Sequence, residues 1–170
     1  MKRIGSVVVL IVLTGFALGA GGGSIKVSSS AFTEGGNIPP KFTCDGEDTS
    51  PPLKTEGIPE NAKAVVMIVD DPDAPGGLFN HWLVWNIDPK TTSLEEGKAP
   101  AGVTGTNDFG KSAYGGPCPP SGSHRYSFKV FALDQQLQLR AGAKRKEVDA
   151  AIKGHVIGQG ELMGRYSKHK

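Results

Sequence analysis

Two clusters in this 170-residue sequence carry side chains able to do chemistry. The first is Asp70-Asp71-Pro72-Asp73-Ala74-Pro75, with His81 shortly after it. The second is Gly115-Gly116-Pro117-Cys118-Pro119-Pro120, followed by His124-Arg125-Tyr126. Each is a proline-stiffened loop that leads into a strand-like run with a histidine at its start. A carboxylate fixed at a strand end accepts a hydrogen bond from an imidazole, sets its tautomer and raises its pKa. Such a ring then donates a charge-assisted hydrogen bond to an anion. Two imidazoles and the Tyr126 hydroxyl, with the backbone N–H groups of Gly115 and Gly116, would cradle a phosphate, a carboxylate or acetate. Taken singly, each feature has a plain structural explanation. Asp before Pro is ordinary turn chemistry, and a lone histidine is as readily a core residue as a functional one. The pairing of the two clusters is what points to one small anion pocket. Arg125 falls on the opposite strand face from His124 and Tyr126 and is expected to pair with an acidic residue such as Asp73.

Competing chemistries find less support. Asp71, His81 and His124 could ligate a metal, but their spacing has no local signature such as H-E-x-x-H. A serine hydrolase of the elbow type needs G-x-S-x-G, which does not occur, and nothing marks Ser112, Ser121 or Ser123 as activated. The residues therefore favour binding without turnover, with no catalytic residue, no metal and no cofactor.

The elements that must position these groups are mostly strands. Residues 64–70 (AVVMIVD) form a continuous apolar, β-branched run bounded by prolines, which predicts a strand buried on both faces. Residues 81–88 predict a second strand, with 81, 83, 85 and 87 on one face and 82, 84 and 86 on the other. Residues 125–134 alternate cleanly and predict a half-buried strand. Short strands are expected at 25–32 and 53–57, and a last one at 161–166. Residues 33–52 contain two Pro-Pro pairs and two glycine turns, so they cannot hold a helix. The one good helix spans 144–154, with Val148, Ala151 and Ile152 as its apolar stripe and Gly154 at its C-terminal cap. One of Trp82 and Trp85 should face the pocket side and the other the opposite layer. Long connections and a late helix predict a mainly β, two-sheet sandwich with one or two peripheral helices.

Composition agrees. Gly 24 and Pro 12 together are high for a helical chain and ordinary for a loop-rich β domain. The length suits one domain, at residues 25–166. Charges are mixed in sign, with a net of +2 and no basic stripe, which excludes a nucleic-acid partner. Residues 1–20 read as a signal peptide or an uncleaved anchor: Lys2 and Arg3 precede about 12 apolar residues and then small ones near Gly19. The protein is thus expected outside the cytoplasm, secreted, in a periplasm or at the cell surface, with membrane contact only through this segment. Cys44 and Cys118 are an even pair in an exported chain, which favours a disulfide worth about 4 kcal/mol for so long a loop. Residues 167–170 are expected to be a loose tail.

Asp71-Pro72-Asp73-Ala74-Pro75, His81-Trp82, the 115–120 loop and His124-Arg125-Tyr126 resemble the phosphatidylethanolamine-binding protein family. The closer likeness is to its bacterial and archaeal Raf-kinase-inhibitor-like branch, which Thr43-Cys44-Asp45-Gly46-Glu47-Asp48, Asn107-Asp108-Phe109-Gly110 and Glu161-Leu162-Met163-Gly164-Arg165-Tyr166 also match. The resemblance implies a β-sandwich with an anion pocket at one end, formed here by Asp71, His81, Gly116, Pro120, His124 and Tyr126. Eukaryotic members add a C-terminal helix that supplies another tyrosine. Here the last expected element is a strand, so Tyr166 is not given that role and the pocket should be more open. The resemblance implies a small anionic ligand such as phosphate, phosphoethanolamine or a carboxylate. It also allows a protein partner, as a protease inhibitor or kinase-type modulator, and a homodimer. A metal-dependent hydrolase is the remaining alternative.

Overall fold

The computed structural model describes residues 23–168. The expected signal segment at 1–20 lies outside them. Among these residues the fold is two β-sheets and one α-helix. A six-stranded sheet has the order β1-β9-β8-β4-β5-β7, and a three-stranded sheet has the order β2-β3-β6. The strands are β1 (Gly23–Ser24), β2 (Lys26–Ser28), β3 (Leu53–Glu56), β4 (Ala64–Asp71), β5 (Phe79–Ile87), β6 (Ser93–Leu94), β7 (Val103–Thr104), β8 (Ser123–Leu133) and β9 (Val156–Ser167). The helix α1 is Arg145–Ile152. Within the proline-rich stretch 33–52 there is only a single 3-10 turn, Pro40–Phe42, with proline at its start. No helix of the described residues is long and apolar enough to cross a membrane.

β4 is the centre of the large sheet, pairing antiparallel with β5 on one side and β8 on the other. All eight of its residues are buried. Alternate side chains feed two cores, as the strand period of two requires. Val65, Met67 and Val69 join Phe128, Val130, Val27 and Leu53 in the core between the sheets. Val66 and Ile68 join Leu133, Leu137, Ala143, Val148 and Ile152 in a second core, where α1 and the segment before it cover the outer face. A sheet covered on both sides explains why residues 64–70 read as unbroken apolar sequence.

β5 departs from the simple alternation expected of it. Val69 lies opposite Trp82, but Asp70 lies opposite Asn80, so His81 is an extra residue in the ladder. A second irregularity separates Val84 from Ile87, at Asn86, whose φ is 56°. Asparagine tolerates this left-handed backbone better than most residues, and its side chain is tied to both backbone groups of Leu137. Each extra residue reverses the facing of what lies beyond it. The expected grouping of 81, 83, 85 and 87 is therefore corrected. Trp82, Val84 and Ile87 enter the inter-sheet core, and Leu83 and Trp85 enter the helix-side core. The bulge brings His81 round to the inner side, beside Tyr126.

β9 is twice the length expected, running from Val156 and pairing with β8 along its whole course. Its N-terminal half looks like a loop in sequence because of Gly158 and Gly160. At Gly160 a Cβ would lie 1.8 Å from the Ile25 carbonyl oxygen, so only glycine admits the crossing chain.

Candidate anion-binding site

The Asp-Pro-Asp turn is knit to the start of β8 through two carboxylates. Asp71, at the end of β4, accepts the Asp73 N–H on Oδ1 at 2.8 Å and the His124 Nδ1–H on Oδ2 at 2.7 Å. Asp73 accepts a fork from Arg125, with Nε to Oδ2 at 2.9 Å and Nη2 to Oδ1 at 2.7 Å, and the Arg125 backbone N–H as well. These bonds hold the Asp73 carboxyl well below the usual carboxylate range. Alternation along β8 sends His124 and Tyr126 inward while Arg125 stays exposed, so the expected division between ligand-facing and structural residues is the one found.

His81 is held differently. Its Nδ1–H donates to the Gly115 carbonyl at 2.7 Å. No carboxylate bonds to it, contrary to the expectation that both imidazoles would be held by acids, because the bulge turns the ring toward the 115–120 loop. Burial pushes its pKa below the ordinary 6.5, against the pull of the Gly115 carbonyl and the Asp71 charge. Phe79, Phe109 and Tyr126 surround the ring edge-on, with centroids 5.2, 5.2 and 5.3 Å away.

The glycine donors are not available to a ligand. The Gly115 N–H bonds the His81 carbonyl at 3.1 Å, and the Gly116 N–H bonds Asp48 Oδ1 at 2.6 Å. The expected backbone cradle is thereby replaced by a scaffold role. A Cβ on Gly116 would come within 2.5 Å of the Phe42 carbonyl oxygen. Pro120 is exposed at the outer end of the same loop. The loop is anchored by the expected Cys44–Cys118 disulfide, with Cα atoms 5.4 Å apart. Tyr126 is completely buried, and its hydroxyl is sealed without a hydrogen bond of good geometry. Burial first, and then Asp71, push its pKa up. Its ring backs His81, and its hydroxyl does not face outward as expected.

The residues of the cluster are packed closely together. Asp71, His81 and His124 are 4, 3 and 7% exposed, and Phe79 and Phe109 pack against the His81 ring. The far nitrogen of each imidazole takes no part in these bonds. Neither Nε2 has a hydrogen-bond partner among the described residues, and neither is among the sealed polar atoms. Among these residues no three His, Cys, Asp or Glu side chains gather to hold a metal ion.

Several residues that shape the site were not singled out for it from sequence. Asn107 is 3% exposed and bridges four backbone groups: the His81 and Ala113 carbonyls, and the Phe109 and Lys111 N–H groups. Asp108 Oδ2 accepts the Asn80 N–H at 2.7 Å, fixing this loop to the start of β5. The Asn107-Asp108-Phe109-Gly110 run was the available signal, since a turn sequence followed by an aromatic is what presents Phe109 to His81. Tyr166 donates to Asp45 Oδ2 at 2.7 Å, a contact on the disulfide-bearing loop.

Comparison with known proteins agrees with the fold. The family model for phosphatidylethanolamine-binding protein matches residues 28–167. A UPF0098 protein of Pyrococcus horikoshii is 49% identical, over 95% of this chain and 88% of that one. Another from Pyrococcus abyssi is 47% identical, over 99% of each. A crystal structure of a phosphatidylethanolamine-binding protein homologue from Chlamydia trachomatis superimposes with a TM-score of 0.83 at 40% identity, covering 86% of this chain and 99% of that one. Escherichia coli YbcL, described as a member of the mammalian family, superimposes with a TM-score of 0.80 at 33% identity, covering 85% and 99%. With residues 28–167 matched by the family model and the fold shared with these structures, the chain belongs to the phosphatidylethanolamine-binding protein family.

Proposed function

We propose that the protein binds a small oxyanion, a phosphate or phosphate-ester head group, without turning it over. The observation that carries this reading is the pair of imidazoles, each locked at Nδ1 and each left with an unpartnered Nε2. An imidazolium backed by a carboxylate is a strong donor to an anion, and Asp71 is placed to back His124 in this way. Binding over catalysis is supported by the surroundings of the two rings among the described residues: Ser112, Ser121 and Ser123 are exposed, neither imidazole is hydrogen-bonded to a hydroxyl, and Cys118 is oxidised. The disulfide and the basic-then-apolar N-terminal sequence favour a location outside the cytoplasm.

Calorimetric titration of the protein with inorganic phosphate and phosphoethanolamine tests the reading. Saturable binding that His124→Gln weakens about tenfold supports it. Turnover of an ester substrate that disappears in the same variant would replace it with a hydrolase.

A second reading is favoured by Leu78 and Phe109, which are 51 and 43% exposed at this end of the molecule. They suit a protein partner docking over the site, such as a protease. Inhibition that survives His124→Gln but is lost in Phe109→Ser would support it.

A further inference from the structure

Lys129 on β8 and Glu161 on β9 stand directly opposite each other in the ladder, on the face of the large sheet that α1 partly covers. Opposite charges so placed ordinarily pair across the strands. Here they do not. The Lys129 ammonium turns to Asp70 on β4, with Nζ 3.2 Å from Oδ2. Glu161 is left with no ion pair and no side-chain hydrogen bond among the described residues. Its charge is felt by Arg125, but that guanidinium is already forked onto Asp73.

Both residues line a cleft of about 370 Å³, together with Phe131, Arg145, Gln159 and Gly160. The volume lies in the range of small-molecule sites, and none of the anion-site residues contributes to it. The two cations in the lining are held in place from behind. Asp70 has no exposed surface and contacts both of them, while the Arg145 and Lys129 side chains are 18 and 27% exposed. Each cation keeps donors unspent. Arg145 gives Nε to Asp149 and Nη1 to Asp70, so Nη2 has no hydrogen-bond partner among the described residues. Lys129 has used one of its three N–H groups.

The cleft therefore joins anchored cationic donors to an unpaired carboxylate one strand away, with half-buried Phe131 as an apolar wall. A plain anion would meet the Glu161 carboxylate, and a plain cation would meet Arg145 and Lys129. A ligand that carries a carboxylate and an ammonium on neighbouring atoms satisfies both sides. Donors already fixed by Asp70 lose little freedom when they bind it.

We propose that this cleft binds a free α-amino acid with a large apolar side chain. Arg145 and Lys129 donate to its carboxylate, Glu161 accepts from its ammonium, and its side chain lies against Phe131. A peptide does not fit this scheme, because the amide bond removes one of the two adjacent charges. The site is separate from the oxyanion site and does not depend on that reading.

Calorimetric titration of the whole protein with phenylalanine near neutral pH should show saturable binding. Hydrocinnamate, which lacks the ammonium, and phenethylamine, which lacks the carboxylate, should each bind about tenfold or more weakly. Glu161→Gln should bring phenylalanine down to the level of hydrocinnamate and leave hydrocinnamate unchanged. Saturating inorganic phosphate should leave phenylalanine affinity as it is. Should the variant not fold, the comparison of the three compounds on the unaltered protein decides. Absence of saturable phenylalanine binding, equal affinity for the three compounds, or equal weakening of phenylalanine and hydrocinnamate by Glu161→Gln would overturn the proposal. Competition by phosphate would overturn it too, by placing the amino acid at the histidines.

Discussion

Asp70 and Asp71 are adjacent at the end of β4, and both are buried, yet they face opposite cores and serve different ends. Asp70 points to the helix side. Its Oδ1 is contacted by Arg145 Nη1 and by Asn80 Nδ2 at 3.3 Å, and its Oδ2 by Lys129 Nζ at 3.2 Å. Arg145 also holds Asp149 on α1 at 2.8 Å, so this cluster pins the helix to the sheet. Asp71 points to the end of the sandwich, where it is bonded to a backbone N–H and an imidazole. Guanidinium and ammonium groups keep their charge at all ordinary pH, whereas an imidazole gains and loses it near neutrality. Both carboxylates are satisfied, but the cations on Asp70 tie the helix to the sheet, whereas the imidazole on Asp71 keeps its second ring nitrogen clear of other side chains among the described residues. A buried charge is therefore no guide to function until the free valence of its partner has been examined.

The comparison can be tested first through the covalent brace that only one side possesses. Cys44 and Cys118 are 74 residues apart, and the bond between them ties the 115–120 loop over the Asp71 face. Replacing both with serine should cost about 4 kcal/mol in urea unfolding. It should also speed amide exchange in that loop more than at Val66 and Ile68. A uniform increase in exchange would show that the disulfide braces the whole molecule and not this face.

Next in size is the contrast between the carboxylates themselves. Asp70→Asn strands two cations and should cost about 3 kcal/mol, with phosphate affinity unchanged. Asp71→Asn keeps an acceptor for His124 and should cost only about 1 kcal/mol in stability, yet weaken phosphate about tenfold. If both variants lost stability and affinity alike, the two faces would be one coupled unit.

A smaller effect is expected from pH. The folded-state pKa of His81 is depressed, so the unfolded chain takes up a proton that the folded chain resists. Stability should decline as the pH falls below the ordinary 6.5, and the decline should level off below the depressed value. Denaturant midpoints between about pH 7 and about pH 5 read this slope, and His81→Phe should flatten it. The smallest effect belongs to the exposed fork. The lowered pKa of Asp73 contributes stability above its ordinary 3.8, which is lost as the pH falls through the folded value. Solvent screens that pair, so Arg125→Ala should barely move the melting temperature at neutral pH.

The strands that carry the site were legible because their patterns are local. Residues 64–70 are apolar throughout because the sheet is covered on both sides, and residues 125–134 alternate because β8 separates an inner face from a partly exposed one. The pairing of Arg125 with Asp73 followed from the same alternation. β9 was half missed, since glycines that admit a crossing chain look like loop residues until that chain is known. The facing of β5 was misread at His81 and at Ile87, because a bulge leaves almost no trace in hydrophobic periodicity. Gly115 and Gly116 look like free donors in sequence, and their capture by the His81 carbonyl and by Asp48 joins segments far apart in the chain.

Residue types and spacing were enough to establish a β-sandwich with two proline-stiffened loops, a pairable cysteine couple and an inward-facing His124 and Tyr126, because these depend on short-range sterics and a strand period of two. Which nitrogen of His81 is left open, which donors are consumed and how tightly the aromatic rings close over the site depended on the bulge in β5 and on contacts between distant loops. A single inserted residue reverses every side chain beyond it, and that insertion is defined only by the partner strand.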